Sequence, residues 1–140
     1  MSSAPSFEYP VDISWGHCDP AGIIYYPNYF HWFDAAFHAY LKSVGLDQRI
    51  LKDKLGTFGT GLIDAGASFK SPVTYGDHLV LTLTISQWRA KTLRVEYHGV
   101  CDGRDIVEGH EVRGLFMAHP ETGRISAAPI APLRALIEGN

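Results

Sequence analysis

Cysteine is scarce in this chain of 140 residues: there are two, Cys18 and Cys101. They stand in no metal-ligand or CxxC spacing. Nothing therefore indicates a scaffold held by disulfides, and free thiols in a reducing cytoplasmic setting are the expectation. No run of about 18 apolar residues occurs, so no membrane-spanning helix is expected. The opening Met1-Ser2-Ser3-Ala4-Pro5-Ser6 has no basic segment followed by an apolar stretch. It does not read as a signal peptide, and residues 1–6 are expected to be a disordered tip. Positive charge is not in excess either, with 12 Lys and Arg against 15 Asp and Glu. A nucleic-acid partner, which calls for a basic face, is not expected. Repeats, low-complexity tracts and long linkers are also missing, so residues 1–140 read as a single domain.

What is present is apolar material, at 46% hydrophobic residues, enough for a core without staples. Residues 7–16 read as a strand. Pro20 and Gly22 break it, and Pro27 suits the first turn of a helix, where its missing N–H costs nothing. From Tyr29 to Leu41 the segment is apolar nearly all round, so this helix belongs inside something. Gly45 is a suitable stop. Residues 46–56 read as a short helix or a loop. Then the period changes. Leu79, Leu81, Leu83 and Ile85 alternate with polar or β-branched neighbours, as do Leu93, Val95 and Tyr97. Both are patterns of half-buried antiparallel strands, with a hairpin break at Gln87–Lys91. Residues 57–70 and 106–119 also read as strands, the first weakened by Gly59, Gly61 and Gly66. Residues 130–138 suit a short terminal helix. The order implies an α+β fold, an antiparallel sheet curled over one central helix.

The segment joining the first strand to that helix is His17-Cys18-Asp19-Pro20-Ala21-Gly22-Ile23-Ile24-Tyr25-Tyr26-Pro27-Asn28-Tyr29. It brings the Asp19 carboxylate near the electropositive start of a helix. There a carboxylate can attack a carbonyl or activate water while main-chain N–H groups hold the carbonyl oxygen. The plainer reading of Asp19 is a turn residue, since Asp before Pro is common in turns. His17 reads as a polar residue at a strand end. Cys18 has no basic partner implied by the sequence. His31, Asp34 and His38 share one helical stripe. One helix supplying every ligand makes a weak metal site, so no metal is expected.

The run from Asp19 to Tyr29, with Trp32 and Asp34 after it, resembles the 4-hydroxybenzoyl-CoA thioesterase family of the hot-dog superfamily. Gly59-Thr60, Ala67-Ser68-Phe69 and Trp88-Arg89 with Lys91 fit the same family, and the likeness covers about residues 8–119. It implies a hot-dog fold, a five-stranded antiparallel sheet wrapped around a long helix. It also implies an acyl-CoA thioester hydrolase needing no cofactor, with coenzyme A as part of the substrate. Asp19 would then be the catalytic carboxylate, as nucleophile or general base. The Tyr26 N–H would polarise the thioester carbonyl. Asp34 would accept a hydrogen bond from the 4-hydroxyl of an aromatic acyl group, and Thr60 would line the acyl pocket. Arg89 and Lys91 match residues that hold coenzyme A phosphates. Ala90 departs from the pattern, being basic in the best-known member, so Lys70, Arg94, Arg124 and Arg134 are candidate substitutes. Related hot-dog enzymes carry their carboxylate on a different element, which makes Asp64 the rival to Asp19. The first substrate expected is 4-hydroxybenzoyl-CoA. Short or medium aliphatic acyl-CoA, or binding without catalysis, are the alternatives. Family members form dimers with sites at the subunit boundary, and a homodimer assembling into a homotetramer is expected.

Overall fold

A computed structural model describes residues 6–139. The elements follow the order β1 (Ser6–Asp12), α1 (Pro27–Ser43), α2 (Gln48–Leu55), β2 (Gly59–Phe69), β3 (His78–Trp88), β4 (Leu93–Cys101), β5 (Arg104–Ala118), β6 (Ile125–Ala128) and α3 (Ala131–Glu138). The strands form one antiparallel sheet in the order β1-β3-β4-β5-β2, with β6 added on β5. Strand β2 is therefore an edge.

Three expectations are corrected. The sheet has six strands rather than five. β5 outruns β4, and the stretch Leu115–Ala118 that β4 does not reach is covered on that side by β6. Ile-Ser-Ala-Ala is too short and too mixed to announce a strand by its own period. The first strand begins at Ser6 and ends at Asp12, because Trp15–His17 forms a 3-10 turn. In that turn the Ser14 N–H donates to His17 Nδ1 at 3.0 Å. Ser6 thus belongs to the sheet, and the remaining residues of the expected disordered tip, 1–5, lie outside the described residues.

Helix α1 opens with Pro27 and ends at Ser43, and Gly45 just beyond, at φ 77°, suits a helix stop. It is less uniformly enclosed than its composition predicts. Tyr29, Trp32, Phe33, Ala36, Phe37, Tyr40 and Leu41 are buried, and their spacing marks one face. His31 and Asp34 are exposed on the other. The buried face meets the inward residues Leu79, Leu81, Leu83, Leu93, Val95 and Tyr97 in one core cluster. Phe33 stacks on Tyr97 with centroids 4.5 Å apart. A side chain at Gly109 would reach 2.4 Å from the Phe33 ring, so that glycine is what lets the helix seat. Burying each such aromatic contributes about 1.5–3 kcal/mol.

Residues 46–56 hold a helix, Gln48–Leu55, rather than a loop. The Asp47 side chain accepts the Ile50 N–H at 2.9 Å, and Gly56 ends the helix in the left-handed region at φ 69°. The glycines of β2 do not shorten it. A Cβ on Gly61 would lie 2.2 Å from the Phe116 ring, and one on Gly66 would lie 2.7 Å from His110. These two glycines make room for large neighbours from β5.

Candidate active site

The Asp19 turn is fixed by its own backbone. Asp19 N–H donates to the Ile23 carbonyl at 2.9 Å, and Gly22 N–H donates to the Asp19 carbonyl at 2.9 Å. The Ala21 N–H donates to Asp19 Oδ1 at 2.8 Å. One carboxylate oxygen is thereby aimed, and Oδ2 takes no hydrogen bond among the described residues. Beyond the turn the chain enters α1. Tyr25 N–H reaches the His17 carbonyl at 2.9 Å, Asn28 N–H the Tyr25 carbonyl at 2.9 Å, and Tyr29 N–H the Tyr26 carbonyl at 3.1 Å. Pro27 has no N–H. Among the described residues the Tyr26 N–H alone in this stretch has no acceptor, as a helix start allows.

Asp19 and Tyr26 line one pocket of about 440 Å³, walled by Tyr29, Phe69, Lys70 and Val73. Phe69 comes from the far end of β2 and lies 5.3 Å from the Tyr29 ring and 6.3 Å from that of Tyr26. Burial pushes the Tyr29 hydroxyl up to about 12, so Tyr29 stays neutral at working pH. A thioester carbon set between a free carboxylate oxygen and an unpaired N–H could be attacked there, with the developing oxyanion held by the amide.

A second cluster lies elsewhere. Asp34 Oδ1 accepts a hydrogen bond from Arg113 Nη2 at 2.7 Å, and His38 Nε2 stands 3.3 Å away. Arg113 also donates from Nη1 to the Thr60 carbonyl at 2.9 Å and from Nε to Glu111 Oε1 at 2.9 Å. Tyr97 donates its hydroxyl to Glu111 Oε1 at 2.6 Å. Arg113 and Glu111 are buried, at 2% exposure each. Burial opposes the Arg113 charge, but the hydrogen bonds and charges of Glu111 and Asp34 outweigh it and raise its pKa. The Tyr97 pKa is raised by burial first and by the Glu111 charge next. Asp34 is therefore neither buried nor unpaired. It is 52% exposed and already anchored. Its Oδ2 takes no hydrogen bond among the described residues.

Within one chain the two clusters do not meet. Asp34 stands eight positions beyond Tyr26, or ~12 Å along α1 at 1.5 Å per residue. On the sheet, Phe69 pairs with Val107 and Leu62 with Arg113, six residues apart on β5, or ~20 Å. Arg89 and Lys91 form a third group at the β3–β4 turn, which closes at Arg89–Thr92 rather than Gln87–Lys91, with Arg89 N–H on the Thr92 carbonyl at 2.8 Å. Arg89 shares a pocket of about 360 Å³ with Arg94, although Arg94 is tied to Glu96 at 2.6 Å. Arg134 lies over the Trp88 ring at 5.5 Å, beside the same turn. Lys70 lies at the Asp19 pocket instead, 3.8 Å from Glu108. Arg124 sits in the turn leading into β6.

Other candidates are held by neighbours. Asp64 is on the outer face of the edge strand, 63% exposed, with its Oδ2 2.9 Å from His110 Nε2. His17 locks the 3-10 turn and packs edge-on against Trp32 at 5.1 Å. Among the described residues no group of three His, Cys, Asp or Glu side chains is arranged to hold a metal. Glu111, Arg113 and Gln48 were missed from the sequence. The signal was there for two of them, since Glu111 and Arg113 fall on the inward positions of the β5 alternation, where charge is out of place.

An antiparallel sheet laid over one long helix is the hot-dog fold. The family model for the thioesterase-like superfamily matches residues 13–134, and the chain belongs to that superfamily. It is 34% identical over 124 residues to the 4-hydroxybenzoyl-CoA thioesterase of Pseudomonas sp. strain CBS-3, covering 84% of this chain and 87% of that protein. The solved structure of the Pseudomonas enzyme superposes with a TM-score of 0.77 at 31% identity, over 94% of this chain and 99% of the other. A gentisyl-coenzyme A thioesterase structure gives the same TM-score of 0.77, at 31% identity and with the same coverage of both chains. The 1,4-dihydroxy-2-naphthoyl-CoA hydrolase of Synechocystis sp. (strain ATCC 27184 / PCC 6803 / Kazusa) is 29% identical over 118 residues, covering 83% of this chain and 84% of that protein. As a family member the chain is a thioester hydrolase. No helix among the described residues is long and apolar enough to cross a membrane.

Proposed function

We propose that this protein hydrolyses the thioester of hydroxylated aromatic acyl-CoA, with 4-hydroxybenzoyl-CoA as the first substrate, in the cytoplasm. The observation that carries the reading is the Tyr26 N–H, without an acceptor, in the same pocket as the Asp19 carboxylate. Asp19 acts on the carbonyl carbon, directly or through water, and the amide takes the charge that develops on oxygen. The thiolate of coenzyme A is a good leaving group, so no metal or cofactor is needed. The aromatic walls Tyr29 and Phe69 suit a flat acyl group.

Asp34 and Thr60 serve the same substrate from a second copy of the chain. Strand β2 is an edge with exposed Leu62, Ile63 and Phe69, and an open apolar edge invites pairing. Two β2 strands paired antiparallel would set the Thr60 end of one against the Phe69 end of the other. That arrangement would bridge the ~20 Å gap along the sheet. A homodimer is thus the working unit, and a homotetramer is its expected further assembly. Arg89 and Lys91, with Arg94 and Arg134 near them, receive the nucleotide phosphates.

The test is thiol release across a panel of aromatic and aliphatic acyl-CoAs. The highest kcat/KM is expected for 4-hydroxybenzoyl-CoA or a close hydroxy-aromatic relative. Preference for an aliphatic chain would overturn the aromatic assignment, and binding without thiol release would overturn the enzymatic one.

A further inference from the structure

We propose that Gln48 is a positioning residue for Thr60, holding its hydroxyl so that it meets the acyl group as a hydrogen-bond donor and selects ring substituents that can accept. The proposal rests on the reading that Thr60 serves the acyl substrate.

Two buried threonines stand three positions apart, Thr57 just before β2 and Thr60 at its second position. The Thr57 hydroxyl spends its proton inside the protein, on the Gly59 and Phe116 carbonyls, each at 3.1 Å. Its oxygen accepts the Gly59 N–H at 2.9 Å. Thr60 is arranged the other way. Its hydroxyl oxygen accepts from Gln48 Nε2 at 3.0 Å, and among the described residues its proton has no acceptor. Thr60 is 4% exposed, yet it lines a pocket of about 260 Å³ with Gln48, Phe58 and Phe116. A buried hydroxyl proton needs an acceptor, and that pocket is where one can come from.

The Gln48 amide can hold Thr60 in one sense only. The Thr60 backbone N–H can only donate, and it donates to Gln48 Oε1 at 3.1 Å. That end of the amide is therefore oxygen. The other end is an NH₂ group, which cannot accept from the hydroxyl. Its second proton is directed at His38 Nδ1 at 3.3 Å, so both amide protons are engaged. The amide thus grips Thr60 at main chain and side chain together. It lies close against the strand, since a Cβ on Gly59 would stand 3.0 Å from Gln48 Oε1.

Asp34 offers the opposite chemistry, because an ionised carboxylate can only accept. Arg113 holds both residues, donating from Nη2 to Asp34 Oδ1 at 2.7 Å and from Nη1 to the Thr60 carbonyl at 2.9 Å. A phenol hydroxyl answers both, giving its proton to the carboxylate and accepting that of the threonine. An aromatic amine donates as well but accepts poorly, because its lone pair is shared with the ring. Asp34 and a donating Thr60 therefore separate two substituents of similar size.

The experiment measures kcat/KM for 4-hydroxybenzoyl-CoA and for 4-aminobenzoyl-CoA, and takes their ratio, in the wild type and in three variants. Gln48→Glu replaces the NH₂ by a second accepting oxygen, which draws the Thr60 hydroxyl proton to itself and turns lone pairs toward the pocket. The ratio is expected to fall about 10-fold there, and about 3-fold in Gln48→Leu, where the hydroxyl is free to turn. Thr60→Val should lower it about 3- to 10-fold. A merely structural role would lower both substrates alike and leave the ratio in place. If Thr60→Val shifts the ratio while folded Gln48→Glu and Gln48→Leu do not, the positioning proposal is wrong and the Thr60 reading stands. If Thr60→Val leaves the ratio unchanged, that reading falls and the proposal falls with it. Should Thr60→Val fail to fold, the Gln48 variants decide: a lowered ratio supports the proposal and an unchanged one overturns it. No thiol release from either substrate by the wild type would overturn the aromatic thioesterase reading itself.

Discussion

At the start of α1 the Asp19 carboxylate accepts one backbone N–H, from Ala21 at 2.8 Å, and faces an apolar pocket. Farther along the same helix Asp34 accepts from Arg113, which is itself gripped by buried Glu111. The side chains are identical and the surroundings are opposite. Asp19 is oriented by a short turn and has no cation bonded to it among the described residues, so its charge is available to a reacting carbon. Asp34 is anchored through a network that spans α1, β2, β4 and β5, so its charge is spoken for and its direction is fixed. Under the proposed function, attack falls to the first and recognition to the second. That division also explains why the two are made differently: a reacting group needs freedom at one oxygen, and a reading group needs a fixed plane.

The largest effect expected in breaking this comparison is at Asp19. Asp19→Asn keeps the Ala21 hydrogen bond but loses the charge, and kcat should fall by roughly 10²–10⁴-fold with KM changed little. Thiol release under saturating substrate measures it, and near-normal turnover would end the assignment. Next comes the anchor. Arg113→Met leaves Glu111 charged, buried and short of its partner, at a cost of about 3–5 kcal/mol in urea unfolding. Replacing Tyr97 with Phe, Glu111 with Leu and Arg113 with Met together should recover most of that. A persistent loss in the triple variant would mean the packing, not the charge, was at fault.

Alkaline pH probes both ends at once. Tyr29 near Asp19 has its pKa pushed up by burial to about 12 from the usual 10.0. Tyr97 near Asp34 is raised by burial and by Glu111. A raised folded-state pKa gives stability that is complete below the unfolded value and is lost as pH rises toward the folded one. Unfolding free energy should therefore hold below about pH 10 and then fall, with Tyr29 contributing about 2–3 kcal/mol between pH 10 and 12. Urea midpoints across that range read it out, and a flat profile would show the two rings to be open to solvent. The smallest effect is at the reading end. Asp34→Ala should cut the preference for 4-hydroxybenzoyl-CoA over benzoyl-CoA by about ten-fold or less, because Asp34 is half exposed. An unchanged ratio would remove its recognition role and sharpen the question of what Arg113 is anchoring.

The same contrast explains what was legible in the sequence. Asp19 and Tyr26 are joined by a short stretch rich in turn residues, and local turn chemistry brings them to one pocket. The alternation of Leu79–Ile85 and Leu93–Tyr97 announced β3 and β4, since one buried face imposes a period of two. Asp34 was visible as a residue, but its partner lies 79 positions away. No local pattern links them, and only the sheet register puts Arg113 under the helix. Strand β6 was hidden for a related reason, because it exists to cover the overhang of β5 and not through its own propensity. Composition alone overstated how enclosed α1 is. The polar face of that helix turns away from the sheet.

The central claim is that a thioester carbonyl lies between the Asp19 carboxylate and the Tyr26 amide. A crystal structure of the Asp19→Asn variant with 4-hydroxybenzoyl-CoA tests it most directly. The expected result is a carbonyl oxygen about 3 Å from the Tyr26 nitrogen, with the substituted carboxamide at position 19 against the carbonyl carbon and the ring hydroxyl on Asp34 of the second copy. A bound thioester whose carbonyl sits away from Tyr26 in every copy of the assembly would contradict it.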